Sequence, residues 1–295
     1  MEAMALIDAC GRTTVSGHLS AVPWWSFTKT VLAAAALRLA EQGLLSLHDK
    51  VAGEPYTLAQ LLRHEAGLPD YGSLRQYHAD VAAGKKPWPV AQLLEATEAQ
   101  RLRYEPGRGW AYSNIGYLKV RTLIENAAGV PLGDALQALV FAPSGLTTAR
   151  LATRPEDMDG VAMGGGNAGY HPGWVYHGLV VGTAADAARL LKALTGGDLL
   201  RPDSYAAMLE GRALPEYRSK TFEDPAYGLG LMLHATAPRA HPIGHRGGGP
   251  GSTIAVYAHG QSACALWQAP APNSDLVVDT VFRHLRPPAQ RPQPN

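Results

Sequence analysis

The run "FTKTVLAAAALRLAEQG" constrains this chain more than any other. Good helix formers fill residues 26–42, and Gly43 stands where a C-terminal cap belongs. Almost every side of that helix is apolar, so it has to be buried in a core. Its anomaly is Lys29, one turn in from the start and next to Trp24, Trp25, Phe27, Val31 and Leu32. A lysine in such company is either paired or put to chemical use, because an isolated buried charge is costly.

The 295 residues suffice for one large domain or two intimate ones with a substantial core. Hydrophobic residues make up 46% and charged residues 17%, with 32 Gly and 22 Pro, which describes a loop-rich globular chain rather than a disordered or coiled-coil one. A formal net charge of +1 without any Lys/Arg cluster argues against nucleic acid or an anionic membrane surface as partner. The longest apolar run is broken by Arg38, far short of a membrane span, and "MEAMALIDAC" lacks the basic and apolar regions of a secretory signal. Cys10 and Cys264 make neither a disulfide framework nor a metal-ligand set, and such thiols suit a reducing, cytoplasmic compartment.

The middle of the chain reads as helical. Thr57 can cap a short helix stopped by Gly67-Leu68-Pro69, an amphipathic helix lies near 89–99, and "YEPGRGWAYSN" turns into a helix over 115–128 that Gly129 ends. Helices also fit 131–142 and 184–195, the latter with Thr183 and Asp186 as a capping pair. Further on, "YGLGLMLHAT", "STIAVYAHG" and "SACALWQAP" are short apolar runs between turn residues, the pattern of antiparallel strands. "SDLVVDTVFRHL" predicts a closing helix over that sheet, and the Pro-rich tail 286–295 predicts disorder.

Three elements carry chemistry. Ser26 and Lys29 lie three apart, on one face of a helix, at an N-terminus whose free N–H groups can hold an oxyanion and whose dipole disfavours a second cation. Burial lowers the pKa of the Lys29 amine, so that it can accept the Ser26 proton. By itself a Ser-x-x-Lys is feeble; the plain alternative is a capping serine and a surface lysine. Tyr112-Ser113-Asn114 enters a helix from a turn that can aim both Tyr112, a phenol acid/base, and Asn114, an amide that orients a lysine or substrate carbonyl. Its plain alternative is an N-cap Asn114 after a packed Tyr112. The third is "GHRGGGPGS", whose glycines let a substrate lie against a strand edge and the N–H near Gly248 face a reacting oxygen. A phosphate loop does not fit, since Gly-Lys-Ser/Thr and a following helix are missing.

In this order the three elements resemble the serine β-lactamase and penicillin-recognising family, in its class C and esterase-like branch. Ser26-Phe27-Thr28-Lys29 is similar to its Ser-x-x-Lys, Tyr112-Ser113-Asn114 to its Tyr-x-Asn, and His245-Arg246-Gly247 to the His-x-Gly that replaces Lys-Thr-Gly in many esterase and peptidase members. "LLRHEAGLPDY", "HGLVVGTAADAARLL" and "YGLGLML" are similar to segments between them, so the likeness covers about residues 22–260. The resemblance implies an α/β (α+β) fold, an antiparallel sheet flanked by helices with an inserted mostly helical subdomain. Residues 1–50 with 178–285 are then the sheet domain and 51–177 the helical one. It also implies acyl transfer: Ser26 attacks, Lys29 and Tyr112 shuttle the proton, the Ser26 and Gly248 N–H groups hold the oxyanion, and Asn114, His245, Gly247 and Gly248 bind substrate. No cofactor and no metal are implied.

Two departures from that pattern matter. Only 25 residues precede Ser26, so the strand pair usual before the serine is expected to be shortened or missing, leaving a sheet edge that a second copy of the chain could cover. A mostly neutral His245 in place of lysine gives up the cation that grips a substrate carboxylate, and strand alternation turns Arg246 to the other face. This favours small uncharged esters or amides over β-lactams. A β-lactamase or D-amino-acid peptidase is the alternative enzyme, and a non-hydrolytic scaffold or ligand-binding protein the alternative class. His171, His177, His241 and His259 show no metal-ligand spacing and read as bland. Tyr71, Tyr77, Trp110, Tyr170 and Trp174 read equally as acyl-pocket walls or as packing.

Overall fold

Strands that are apolar on both faces need cover on both faces, and that requirement organises this protein. The structure is a computed structural model and describes residues 1–164 and 169–286; part of the tail expected to be disordered, 287–295, lies outside the described residues. The strands are β1 (Glu2–Ile7), β2 (Thr13–Gly17), β3 (Val22–Pro23), β4 (Arg150–Ala152), β5 (Leu179–Gly182), β6 (Arg212–Ala213), β7 (Pro225–Tyr227), β8 (Met232–His234), β9 (Ile243–Gly249), β10 (Ser252–His259) and β11 (Ser262–Gln268). The helices are α1 (Thr28–Glu41), α2 (Leu58–Leu62), α3 (Arg75–Ala82), α4 (Val90–Ala96), α5 (Asn114–Ala128), α6 (Leu132–Leu136), α7 (Ala184–Gly196), α8 (Pro202–Leu209) and α9 (Ser274–Leu285).

One antiparallel sheet has the order β2-β1-β11-β10-β9-β8-β7-β6, and a small one the order β3-β5-β4. Along β10 and β11, Ala255, Tyr257, Cys264 and Leu266 face Val277, Val278, Val281 and Leu285 of α9. The alternate residues Ile254, Val256, Ala263, Ala265 and Trp267 join the main core on the opposite face, where α7 packs. Period-2 alternation of two apolar sets explains why these strands read as nearly unbroken apolar runs. Helix α1 is buried from Thr28 to Leu37 and packs on α5 and α6.

The strand pair expected to be rudimentary is short but present: β1 pairs with β2 from Ala3↔Gly17 to Ile7↔Thr13, and with β11 from Glu2↔Gln268 to Ile7↔Ala263. β2 is exposed along its whole length and forms the open edge of the sheet. Local signals are used as read: Thr57 and Gln60 form a capping box on α2, and Gly129 ends α5 at φ 67°. The glycine-rich "GHRGGG" is itself a strand, β9. No described helix is long and apolar enough to cross a membrane.

Candidate active site

The serine stands on a strained step. Residues Trp25–Phe27 form a single 3-10 turn that runs into α1, and Trp25 has φ 44°, rare for a bulky residue. Three contacts hold it there: its indole N–H donates to Ser252 Oγ (3.0 Å), its ring meets Tyr170 edge-on, and Gly249 lies flat against it. The start of α1 is pinned as well. The Thr30 hydroxyl donates to the Gly230 carbonyl (2.7 Å), Thr28 Oγ1 accepts the Val180 N–H (3.1 Å), and the Trp24 indole donates to the Gly182 carbonyl (3.1 Å). Ser26 therefore sits at the mouth of the helix, in a turn closed by the Phe27 N–H on the Trp24 carbonyl (2.9 Å) and by the Thr28 N–H on the Trp25 and Ser26 carbonyls.

Lys29 is fully buried beneath it. Its Nζ lies 3.5 Å from Ser26 Oγ, 2.6 Å from Asn114 Oδ1 and 3.3 Å from His177 Nε2. Burial lowers its pKa to about 7, against a smaller opposing pull from Asp70. Such an amine is about half neutral at neutral pH and can take a proton from a hydroxyl at that distance.

The cap of α5 is Ser113, whose Oγ accepts the Gly116 N–H (2.9 Å), so the Asn114 side chain is left for Lys29. Asp70 Oδ1 accepts the Asn114 backbone N–H (2.7 Å) and Oδ2 that of Gly72 (3.0 Å). Tyr112 is half-buried, with Lys29 Nζ 4.8 Å from its ring centre. Burial holds its phenol well above the ordinary range, with the Ser26 hydroxyl acting in the opposite direction, so it stays protonated at neutral pH. His64, itself at φ 62°, lies tilted against the Tyr112 ring, centre to centre 4.3 Å, and takes the Ser113 N–H on Nδ1 (3.1 Å).

Beyond Gly244, which pairs with Met232, the β8 ladder stops and β9 runs on past the serine. A side chain at Gly247 would stand 2.5 Å from the Ser26 backbone nitrogen, so the strand passes Ser26 at a distance only glycine permits. Gly248 is exposed and lines the same cavity as Ser26. His245 is placed differently from a substrate ligand. It is buried, Nδ1 meets the Arg246 carbonyl (2.5 Å), and Nε2 takes the Tyr227 hydroxyl (2.8 Å), so both nitrogens are used inside the protein. Burial, then the Lys29 charge, lowers its pKa to about 3 and keeps it neutral. Arg246 does turn to the other face, where it pairs with Asp275 of α9.

The cavity over Ser26 measures about 190 Å³. Tyr71, Tyr77 and Tyr170 line it, whereas Trp174 packs behind Tyr77 and Trp110 lies against His64 and Tyr227. His177 is the site residue that sequence reasoning passed over. It lines the cavity, touches Lys29 and is buried, which the absence of any spacing motif around it concealed. Among the described residues, no three His, Cys, Asp or Glu side chains gather as metal ligands.

Known proteins resemble this chain in sequence and in fold. Penicillin-binding protein 4* of Bacillus subtilis is 28% identical over 260 residues, covering 78% of this chain and 56% of that protein, so the chain spans little more than half its length. A lovastatin esterase of Penicillium rubens is 25% identical over 274 residues, 76% of this chain and 68% of that one. A D-stereospecific amidohydrolase from Streptomyces superposes with a TM-score of 0.80 over 95% of this chain and 93% of its own at 22% identity, a likeness of fold. A profile of the family described as Beta-lactamase matches residues 18–285, a span that holds the Ser26 step, the Tyr112 turn and the whole of β9, and the chain therefore belongs to that family of serine hydrolases.

Proposed function

We propose that the chain hydrolyses small uncharged esters or amides through an acyl-enzyme on Ser26. The composition of the cavity carries this reading: among the described residues lining it there is no Lys, Arg, Asp or Glu. A substrate carboxylate or ammonium would meet no counter-charge among these lining residues, at the cost of its hydration. The volume, about 190 Å³, is below the ~300 Å³ at which sites for drug-sized ligands begin. In the proposed reaction Lys29 takes the Ser26 proton as Oγ attacks the carbonyl. The Ser26 and Gly248 N–H groups hold the oxyanion. The proton passes from Lys29, by way of Tyr112, to the departing oxygen or nitrogen, and water then releases the acyl group.

The test is a fluorophosphonate probe with intact-mass detection, followed by a substrate panel. Native protein is expected to gain one adduct, mapped to Ser26 and lost in Ser26→Ala; folded protein that gains none would leave the scaffold reading standing. Short-chain p-nitrophenyl esters are expected to turn over faster than nitrocefin or D-alanyl peptides. The likeness to a D-stereospecific amidohydrolase supplies a second reading, a D-amino-acid amide as substrate, and D-phenylalanine amide turned over faster than any ester would favour it.

A pH profile follows from Lys29. Because only its neutral form accepts a proton, kcat/KM is expected to be low in acid and to rise through about pH 7. A profile flat from pH 5 to 9 would remove Lys29 as the base.

A further inference from the structure

An amine on carbon has three remaining tetrahedral directions, and around Lys29 Nζ each has an occupant: Ser26 Oγ, Asn114 Oδ1 and His177 Nε2. Protonated, the group gives one hydrogen to each. Neutral, it keeps two hydrogens and a lone pair, and the lone pair serves as a base only when it faces Ser26. Asn114 Oδ1 can only accept, so it retains one hydrogen. The second hydrogen is then free to choose between Ser26 and whatever occupies the third direction.

That third occupant is held firmly. His177 is 2% exposed, and Gly178 behind it turns the chain at φ 104° into β5. β5 pairs with β3 through Pro23↔Val181 and Val22↔Gly182, just ahead of the Ser26 turn. One small sheet thus registers the imidazole against the serine. Charged and titratable groups facing His177 come from several elements: Lys29 of α1, His64 after α2, Arg121 of α5 and His245 of β9. With burial they hold its pKa well below the ordinary value, so the ring is neutral and one nitrogen is always an acceptor.

We infer that His177 is a positioning residue: its Nε2 accepts the second hydrogen of neutral Lys29 and so turns the amine lone pair toward Ser26 Oγ. Nδ1, which is buried without a protein partner among the described residues, carries the ring proton in this state. This rests on the reading of Lys29 as the base, and it adds to the Ser-Lys-Tyr set a member from a segment distant in sequence.

The experiment compares wild type, His177→Leu and His177→Gln, with thermal melts to show that each is folded. Glutamine offers a carbonyl at similar reach; leucine offers no acceptor. On a p-nitrophenyl ester, His177→Leu is expected to lower kcat ~10- to 100-fold, the range of a misdirected proton transfer, with KM changed less than about twofold. His177→Gln is expected to recover most of that loss. Lys29 is followed separately by NMR of ¹⁵N-lysine-labelled protein. With an acceptor gone the ammonium is less stable, so its titration is expected to move to lower pH in His177→Leu and to return toward the wild-type value in His177→Gln. A folded His177→Leu with wild-type kcat and an unmoved Lys29 titration overturns the inference, as does a His177→Gln no better than leucine. Failure of wild type to label at Ser26 would instead remove the base reading, and the NMR titration would still decide the contact.

Discussion

Lys29→Met is expected to lower kcat ~10³-fold, within the range for loss of a general base, and at the same time to make the fold more stable at neutral and acidic pH. The two effects have one cause. Burial lowers the Lys29 pKa from 10.5 to about 7, so the folded protein resists a charge that the unfolded chain carries freely. Below about pH 7 both states are protonated and the native state bears the whole penalty, on the order of 5 kcal/mol for a shift of this size. Between about 7 and 10.5 the unfolded chain binds more protons than the folded one, so wild-type stability rises with pH across that window. Methionine fills much the same volume without a charge. It leaves Asn114 Oδ1 and His177 Nε2 without their donor, at about 1 kcal/mol each, which offsets only part of the gain. Denaturant melts of both proteins from pH 6 to 10 check this. The variant should lead at pH 6 and lose its lead by pH 10; a pH-independent gap would contradict the lowered pKa.

Gly247→Ala is expected to cost both stability and rate, because it places a methyl group against the Ser26 turn. The added Cβ would stand 2.5 Å from Ser26 N, 2.8 Å from Trp25 Cβ and 2.9 Å from the Trp24 carbonyl. None of these is the end of a flexible side chain, so either β9 or the 3-10 turn must move. Such overpacking costs roughly 1–3 kcal/mol of stability. The larger effect is on rate, because Ser26 and Gly248 flank the point where the proposed oxyanion forms, and a displacement near 1 Å is worth ~10²-fold. Gly133→Ala, on α6, serves as the control: a Cβ there meets only Leu151 Cβ at 3.8 Å and Cδ2 at 3.9 Å. Similar kcat values for the two variants would show that the close passage of β9 is not what shapes the site.

What could be read in the chain before any coordinates follows from how local each signal is. Ser26 and Lys29 belong to one helical turn, and Tyr112 and Asn114 to one helix start, so their proximity needs only helix geometry. Asn114 looked like a cap because asparagine favours that position, but Ser113, one residue earlier, has the extended backbone a cap requires. His177 opens the family-like segment "HGLVVGTAADAARLL" but carried no signal of a role: it meets Lys29 across 148 residues of chain, and the pairing of β5 with β3 brings the two together. His245 was read as a substrate ligand from the resemblance of His245-Arg246-Gly247 to His-x-Gly, whereas Tyr227, on a strand that does not pair with β9, takes its free nitrogen. The hairpin before the serine was underestimated because only 25 residues precede Ser26, and because Glu2, Ala3 and Ala5 are weak strand formers. Its strand character comes from pairing with β11, a partner at the other end of the sequence.

That last pairing has a kinetic consequence. β1 finds its place only beside β11, Glu2 opposite Gln268, so the sheet cannot close around its middle until nearly the whole of this chain is available. Loop closure over such a distance is slow, and topologies dominated by distant contacts fold slowly. Until then the β11-facing edge of β1 is unpaired, and the uncharged strand "TTVSG", held only by its hairpin with β1, keeps its outer edge open. Aggregation during refolding is therefore expected to begin at the unpaired β1–β2 hairpin rather than around Ser26, and shortening the wait for β11, by placing it ahead of β1 in a permuted chain, is the change most suited to relieve it.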